Sequence, residues 1–69
     1  NSFFTIPVNS LTVRDIKIYD YLGNPFSNYT IWEDKDAVVI ELFSAKSGLY
    51  FVNIDCGNTT VMAKVLILN

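Results

Sequence analysis

The fold of this chain is decided by residues 48–68, which read GLYFVNIDCGNTTVMAKVLIL. Apolar side chains recur at every second position on both sides of a central Gly57-Asn58 pair. A period of two is typical of β-strands, and a Gly-Asn pair is common at the centre of a tight hairpin turn. The stretch therefore predicts two antiparallel strands that meet at a turn over Cys56-Gly57-Asn58.

The second of these strands, Thr59 to Leu68, is apolar on both faces near its end. One face carries Val61, Ala63, Val65 and Ile67, and the other carries Met62, Lys64, Leu66 and Leu68. A two-faced strand is buried at the centre of a core or presents its outer face to another molecule. The sequence leaves both readings open.

The rest of the chain repeats the pattern of short apolar segments separated by turn residues. We expect strands over residues 3–8, 13–21, 28–32 and 38–42, and turns at 23–25, 33–36 and 45–48. Pro7 should lie at a sheet edge or end its strand, because proline cannot donate to a ladder. No segment shows a helical period. The sequence predicts an all-β sandwich, or a partly open barrel, of five or six strands.

Composition limits the classes of function. The chain of 69 residues is 51% hydrophobic and 17% charged, which favours one folded domain over residues 1–69 rather than disorder. A net charge of −2 and five scattered basic residues argue against nucleic acid as a partner. No apolar run approaches the roughly 20 residues of a membrane-spanning helix, so we expect no integral membrane segment.

Residues for catalysis and metal binding are scarce. The sequence has no histidine, which removes the commonest general base and metal ligand. Cys56 is the single cysteine, and no neighbour in the sequence would activate its thiol. The acidic residues Glu33, Asp34 and Asp36 lack the pattern of a calcium loop and are expected to form a solvated turn. We therefore expect no enzyme activity, no metal and no cofactor.

An aromatic surface is a second candidate site. Tyr19, Tyr21 and Phe51 have the opposite parity to the predicted core residues of their strands, so they should face outward. Together with Tyr29 and Trp32 they could form a platform for a glycan or a protein. Cross-strand aromatic pairing, which stabilises sheets in general, is the simpler explanation.

Three stretches of the sequence resemble one known family. They are Ile16-Lys17-Ile18-Tyr19-Asp20-Tyr21-Leu22-Gly23-Asn24, then Ile40-Glu41-Leu42 with Ser47-Gly48-Leu49-Tyr50-Phe51-Val52-Asn53-Ile54, and finally Ala63-Lys64-Val65-Leu66-Ile67-Leu68. Their order and spacing resemble the C-terminal sorting domains (type A) of the type IX secretion system of Bacteroidetes. A divergent β-sandwich relative of these domains is the alternative.

The resemblance implies an immunoglobulin-like antiparallel sandwich of about five to seven strands, forming the C-terminal part of a longer precursor. The precursor would cross the periplasm, be recognised by the outer-membrane translocon, be cut by a processing peptidase, and reach the outer-membrane surface or the medium. The expected sorting residues are Gly48, Tyr50, Lys64, Val65, Leu66, Ile67 and Leu68, and the expected structural turn residues are Asp20, Gly23 and Gly57. A binding module of a surface or periplasmic protein and a homodimer through an edge strand remain alternatives.

Overall fold

A computed structural model describes residues 2–69, so Asn1 of the expected 1–69 domain lies outside the described residues. The described chain forms six β-strands and no helix. The strands are β1 (Ser2–Pro7), β2 (Asp15–Asp20), β3 (Tyr29–Asp34), β4 (Ala37–Leu42), β5 (Gly48–Asp55) and β6 (Thr60–Ile67).

The strands are arranged in two three-stranded sheets. One sheet has the order β1-β4-β3 and the other has the order β2-β5-β6, and all neighbours are antiparallel. The chain crosses between the sheets after β1, β2 and β4, while β3–β4 and β5–β6 are hairpins. This architecture confirms the predicted all-β sandwich.

The core lies between the inner faces of the two sheets and follows the predicted alternation. Its fully buried members come from both central strands and from β2: Ile18, Val38, Ile40, Leu42, Val52 and Ile54. No buried side-chain nitrogen or oxygen of the described residues lacks a hydrogen-bond partner. Burial of alternate aliphatic side chains is the main stabilising contribution, because a domain this small has no disulfide to add to it.

The predicted strand boundaries differ from the structure in one informative place. The charged segment 33–36 was expected to be a turn, but Glu33 and Asp34 are the last residues of β3 and only Lys35 and Asp36 turn the chain. The register explains this, since β3 pairs with β4 until Asp34 lies opposite Ala37. The strand accommodates these two charged residues because both lie at its solvent-exposed end.

The turn after β2 is held by Asp20. Its Oδ1 accepts hydrogen bonds from the backbone amides of Leu22 at 3.0 Å and Asn24 at 2.9 Å, and its own carbonyl accepts one from Gly23. Gly23 has a φ of 85°, a conformation that glycine adopts without steric cost. Asp20 thus fixes the direction in which residues 24–28 leave the strand.

Candidate functional site

The β5–β6 hairpin brings the expected sorting residues together. Gly48 lies opposite Ile67, Leu49 opposite Leu66, and Tyr50 opposite Val65. Two stretches that are separated in the sequence therefore pair with each other at one end of the sandwich, although Tyr50 and Ile67 are buried in the core. Lys64, one step further along β6, lies opposite Phe51.

The loop between β4 and β5 is tied to this end of the hairpin. The Tyr50 hydroxyl donates a hydrogen bond to the Lys46 carbonyl oxygen at 2.8 Å. The backbone amide of Asn69 donates to the Ser47 hydroxyl oxygen at 2.9 Å, and the Asn69 side-chain amide donates to the Ala45 carbonyl oxygen. Three successive loop residues are therefore held by side chains or backbone from β5 and from the chain beyond β6.

The sequence interpretation did not include Ser47 and Asn69 among the site residues. A signal for them existed in the hairpin turn, because a two-residue turn at Gly57-Asn58 fixes the register of the whole hairpin. Extending that register past Gly48 and Ile67 places residue 69 beside the loop that precedes β5. Both residues lie just beyond the ends of the paired strands, where the register of the hairpin still sets their positions.

The two faces of β6 differ as the alternation predicts. Ile67 is buried at 4% exposure, and Val61, Ala63 and Val65 are half-buried against the core. On the other face Met62 and Leu66 are 75% and 63% exposed. β6 lies at the edge of its sheet and not at the centre of the core. Of the two possibilities left open by the sequence, the structure therefore supports an apolar outer face that is exposed to solvent.

The backbone of β6 is also accessible along its open edge. The Cys56 amide donates to the Thr59 carbonyl oxygen at 2.8 Å, which identifies this opposed pair as hydrogen-bonded. Hydrogen-bonded pairs alternate along an antiparallel ladder, so the backbone groups of residues 61, 63, 65 and 67 point toward β5. Those of Met62, Lys64 and Leu66 point away from it, where no other strand of residues 2–69 pairs with β6.

The edge of β2, at the opposite side of the same sheet, is covered by the chain itself. The Ile18 carbonyl oxygen accepts a hydrogen bond from the Phe26 amide at 2.8 Å, and the Asp20 amide donates to the Asn24 carbonyl oxygen at 2.9 Å. The Tyr29 hydroxyl donates to the Ile16 carbonyl oxygen at 3.3 Å. Segment 24–29 thus occupies the outward hydrogen-bonding positions of β2, whereas no segment of residues 2–69 occupies those of β6.

The edges of the other sheet carry residues that discourage strand addition. β1 ends at Pro7, which has no amide proton to donate, and β3 ends in the acidic pair Glu33 and Asp34. Proline, charge and cover are the usual ways in which natural proteins protect sheet edges. β6 has no proline and no covering segment in the described chain, and Lys64 is its one charged residue.

The aromatic residues do not form the single platform that the sequence suggested. Tyr19 and Phe51 lie directly opposite each other on the outer face of the β2-β5-β6 sheet. Tyr21 is 67% exposed in the following turn. Tyr29 points into the core, however, and Trp32 lies on the other sheet, with its ring 6.1 Å from that of Phe3. The prediction that Tyr29 and Trp32 join this platform is wrong, because β3 belongs to the opposite sheet.

The concave surfaces found on residues 2–69 are open to solvent. One open groove of about 540 Å³ lies between the turn that begins at Asp20 and the loop around Lys46. Cys56 is half-buried at the hairpin turn and forms no disulfide. Within residues 2–69 no group of three or more His, Cys, Asp or Glu side chains is placed to hold a metal ion. That part of the chain also contains no helix that is long and apolar enough to cross a membrane.

Fold and site together define a small β-sandwich domain, in which β6 is a largely apolar edge strand that no other segment of residues 2–69 covers. A family model for the secretion system C-terminal sorting domain matches residues 1–68. The chain therefore belongs to the family of C-terminal sorting domains of type IX secretion. Members of this family are in general non-catalytic, are recognised by the secretion machinery, and direct export to the outer-membrane surface or the extracellular space. No curated protein and no solved structure matches the chain.

Proposed function

We propose that this chain is a non-catalytic sorting signal that the outer-membrane translocon of type IX secretion recognises, and that it directs export and surface attachment of a cargo. The observation that carries the proposal is the family match over residues 1–68. The domain is the C-terminal part of a longer precursor and folds in the periplasm. Cleavage by the processing peptidase and attachment of the cargo are reactions of other proteins, and this domain is their ligand.

The recognition surface in this proposal is the end of the β5–β6 hairpin. Lys64, Leu66 and Leu68 are exposed there, and the remaining expected residues are half-buried or buried beside them: Gly48, Tyr50, Val65 and Ile67. Two structural features support it: the outer side chains of β6 are exposed and apolar, and its edge is unpaired within the described chain. An edge of this kind accepts an extended segment of a partner through main-chain hydrogen bonds.

A reporter fusion in a Bacteroidetes host tests the proposal. A foreign cargo followed by residues 1–69 should appear at the cell surface or in the medium. A matched pair of variants then separates recognition from general surface apolarity. Leu66→Thr should reduce export strongly, while Phe3→Thr should leave it close to the unmodified level.

The two positions are well matched, because Leu66 is 63% exposed and Phe3 is 61% exposed, each on the outer face of an edge strand. Threonine keeps the strand propensity at both. Equal export of the two variants, or export that persists after removal of residues 66–69, would contradict the proposed recognition surface. Cargo retained in the periplasm by the intact fusion would contradict the function itself.

A binding module that stays attached to its protein is the second candidate. The observation in its favour is the Tyr19–Phe51 pair, which faces outward and is exposed in part. On this reading the domain stays in the mature product, whereas a sorting domain is absent from the mass of that product. Mass spectrometry of the exported fusion distinguishes the two.

A further inference from the structure

We propose that the partner segment which adds to β6 is an extended strand with an acidic side chain opposite Lys64 and apolar side chains on both sides of it. The inference rests on the proposed function, since it takes β6 as the recognition edge, and it adds the chemistry of the partner. It follows from three properties of the strand: its hydrogen-bonding positions, its two rows of side chains and its single charge.

The open hydrogen-bonding positions of β6 coincide with its outer side chains. Met62, Lys64 and Leu66 direct their backbone groups away from β5, and the same three residues carry the exposed side chains of the strand. An added strand therefore bonds to these three residues, and its own side chains must pack beside theirs on the outer face.

The inner row of β6 is incompletely covered. Val61, Ala63 and Val65 are half-buried, although the corresponding side chains of the central strand β5, Val52 and Ile54, are fully buried. An added strand would bury the inner row further if its own inward side chains were apolar. The partner is therefore a strand that is apolar throughout its inner face.

The charge of Lys64 defines the outer row. Lys64 is the one charged residue in the stretch 56–69 of the sequence. Its neighbour across the sheet is Phe51, which is followed in the same row by Tyr19, so no carboxylate lies beside it in the described sheet. A strand with Glu or Asp at the position facing Lys64 would form an opposite-charge cross-strand pair on the side where none exists.

The same charge disfavours a second copy of this chain as the occupant. An antiparallel pair of β6 strands centred on Lys64 would place the two ammonium groups directly opposite each other, which is destabilising. Registers shifted by two residues, which place Lys64 opposite Met62 or Leu66, avoid that contact. Because such registers remain possible, the test includes a separate measurement of homodimerisation.

The test uses a labelled peptide with the sequence Ser-Val-Leu-Val-Glu-Val-Leu-Val-Ser and the chain of residues 1–69. The peptide is symmetric about its glutamate, so it places the acid opposite Lys64 in either strand direction. The matched control peptide carries lysine instead of glutamate. Fluorescence anisotropy measures affinity, and amide hydrogen exchange locates the site.

We expect the glutamate peptide to bind roughly 3- to 30-fold more tightly than the lysine peptide, and Lys64→Glu to reverse this preference. Amides of Met62, Lys64 and Leu66 should become protected on binding. The inference is overturned by an equal affinity of both peptides, by a preference that survives Lys64→Glu, or by protection of β1 or β3 instead. Concentration-dependent dimers in sedimentation, with β6 protected in the absence of peptide, would also overturn it.

Failure here is distinguishable from failure of the proposed function. Export that depends on Leu66 while peptides show no charge preference would reject the partner chemistry and leave the sorting role intact. Export that is indifferent to Leu66 would reject β6 as the recognition surface even if the peptides bind.

Discussion

The backbone amide of Asn69 donates a hydrogen bond of 2.9 Å to the hydroxyl oxygen of Ser47. This contact, together with the bond from the Asn69 side chain to the Ala45 carbonyl oxygen, fastens the chain beyond β6 to the loop before β5. Residues near the end of the expected signal thereby control a loop 22 positions earlier in the sequence. Loss of the last residues should affect the shape of that loop as well as the strand.

The two hydrogen bonds of this contact can be removed one at a time. Ser47→Ala removes the acceptor for the Asn69 amide, and Asn69→Ala removes the side-chain donor to Ala45. Each should lower the free energy of unfolding by about 0.5–1.5 kcal/mol, measured by urea denaturation. Deletion of Asn69 should cost about as much as both together. Ser10→Ala is the control, because Ser10 is exposed and makes no hydrogen bond within the described chain. A loss at Ser10 as large as that at Ser47 would contradict the prediction.

Tyr50 combines a buried ring with a hydrogen bond to the loop. The ring packs edge-on against Phe26, with centroids 5.4 Å apart, and the hydroxyl bonds to the Lys46 carbonyl. Tyr50→Phe should therefore cost about 0.5–1.5 kcal/mol of unfolding free energy, and Tyr50→Ala about 3–5 kcal/mol. Tyr21→Phe, at an exposed ring, should change stability by less than about 0.5 kcal/mol. Equal effects of the two Tyr→Phe changes would show that the loop bond does not stabilise the fold.

Gly48 starts β5 with a φ of 149°, far from the conformations that other residues prefer. Nothing lies within 4 Å of a β-carbon built there, so the cost of substitution is conformational rather than steric. Gly48→Asn should lower the unfolding free energy by about 1–3 kcal/mol. Gly23→Asn is the matched comparison, because a φ of 85° is closer to the left-handed region that asparagine tolerates, and it should cost about 1 kcal/mol or less. The reverse order in thermal melting would contradict this account.

Amide hydrogen exchange should show the alternation of β6 directly. We expect the amides of Val61 and Val65 to be protected and those of Lys64 and Leu66 to exchange quickly, because only the first two point toward β5. The Asp20 amide on the opposite edge should be protected as well, since it bonds to the Asn24 carbonyl oxygen. Uniform protection along β6 in the monomer would show that its edge is covered.

The outward aromatic pair distinguishes the two candidate functions. Tyr19→Ala and Phe51→Ala remove opposite members of a cross-strand pair, and each should cost about 1 kcal/mol of stability. On the sorting reading, export of the reporter fusion should stay close to normal at a temperature where both variants are folded. Loss of glycan or protein binding in both folded variants, with export unchanged, would favour the binding module, whereas loss of export would place the aromatic pair in the sorting surface.

Local alternation was enough to predict most of the fold. Alternation places one set of side chains on a shared face of each strand, and all of them are buried: Ile16 and Ile18, then Val38, Ile40 and Leu42, then Tyr50, Val52 and Ile54. The hairpin turn at Gly57-Asn58 was predicted as well, because side-chain period and turn chemistry are properties of adjacent residues. The boundary of β3 was missed, since it depends on how far β4 extends beside it.

The sequence by itself determined the class of fold, the inner and outer faces of β2, β4 and β5, and the stretches that resemble the sorting family. Only the tertiary structure decided which strands lie at the sheet edges and which of these edges another segment of the chain covers. Segment 24–29 covers β2 and nothing in the described chain covers β6, a difference that arises from contacts between residues distant in sequence. Alternation reports only what faces inward, whereas strand order depends on the packing of the whole chain.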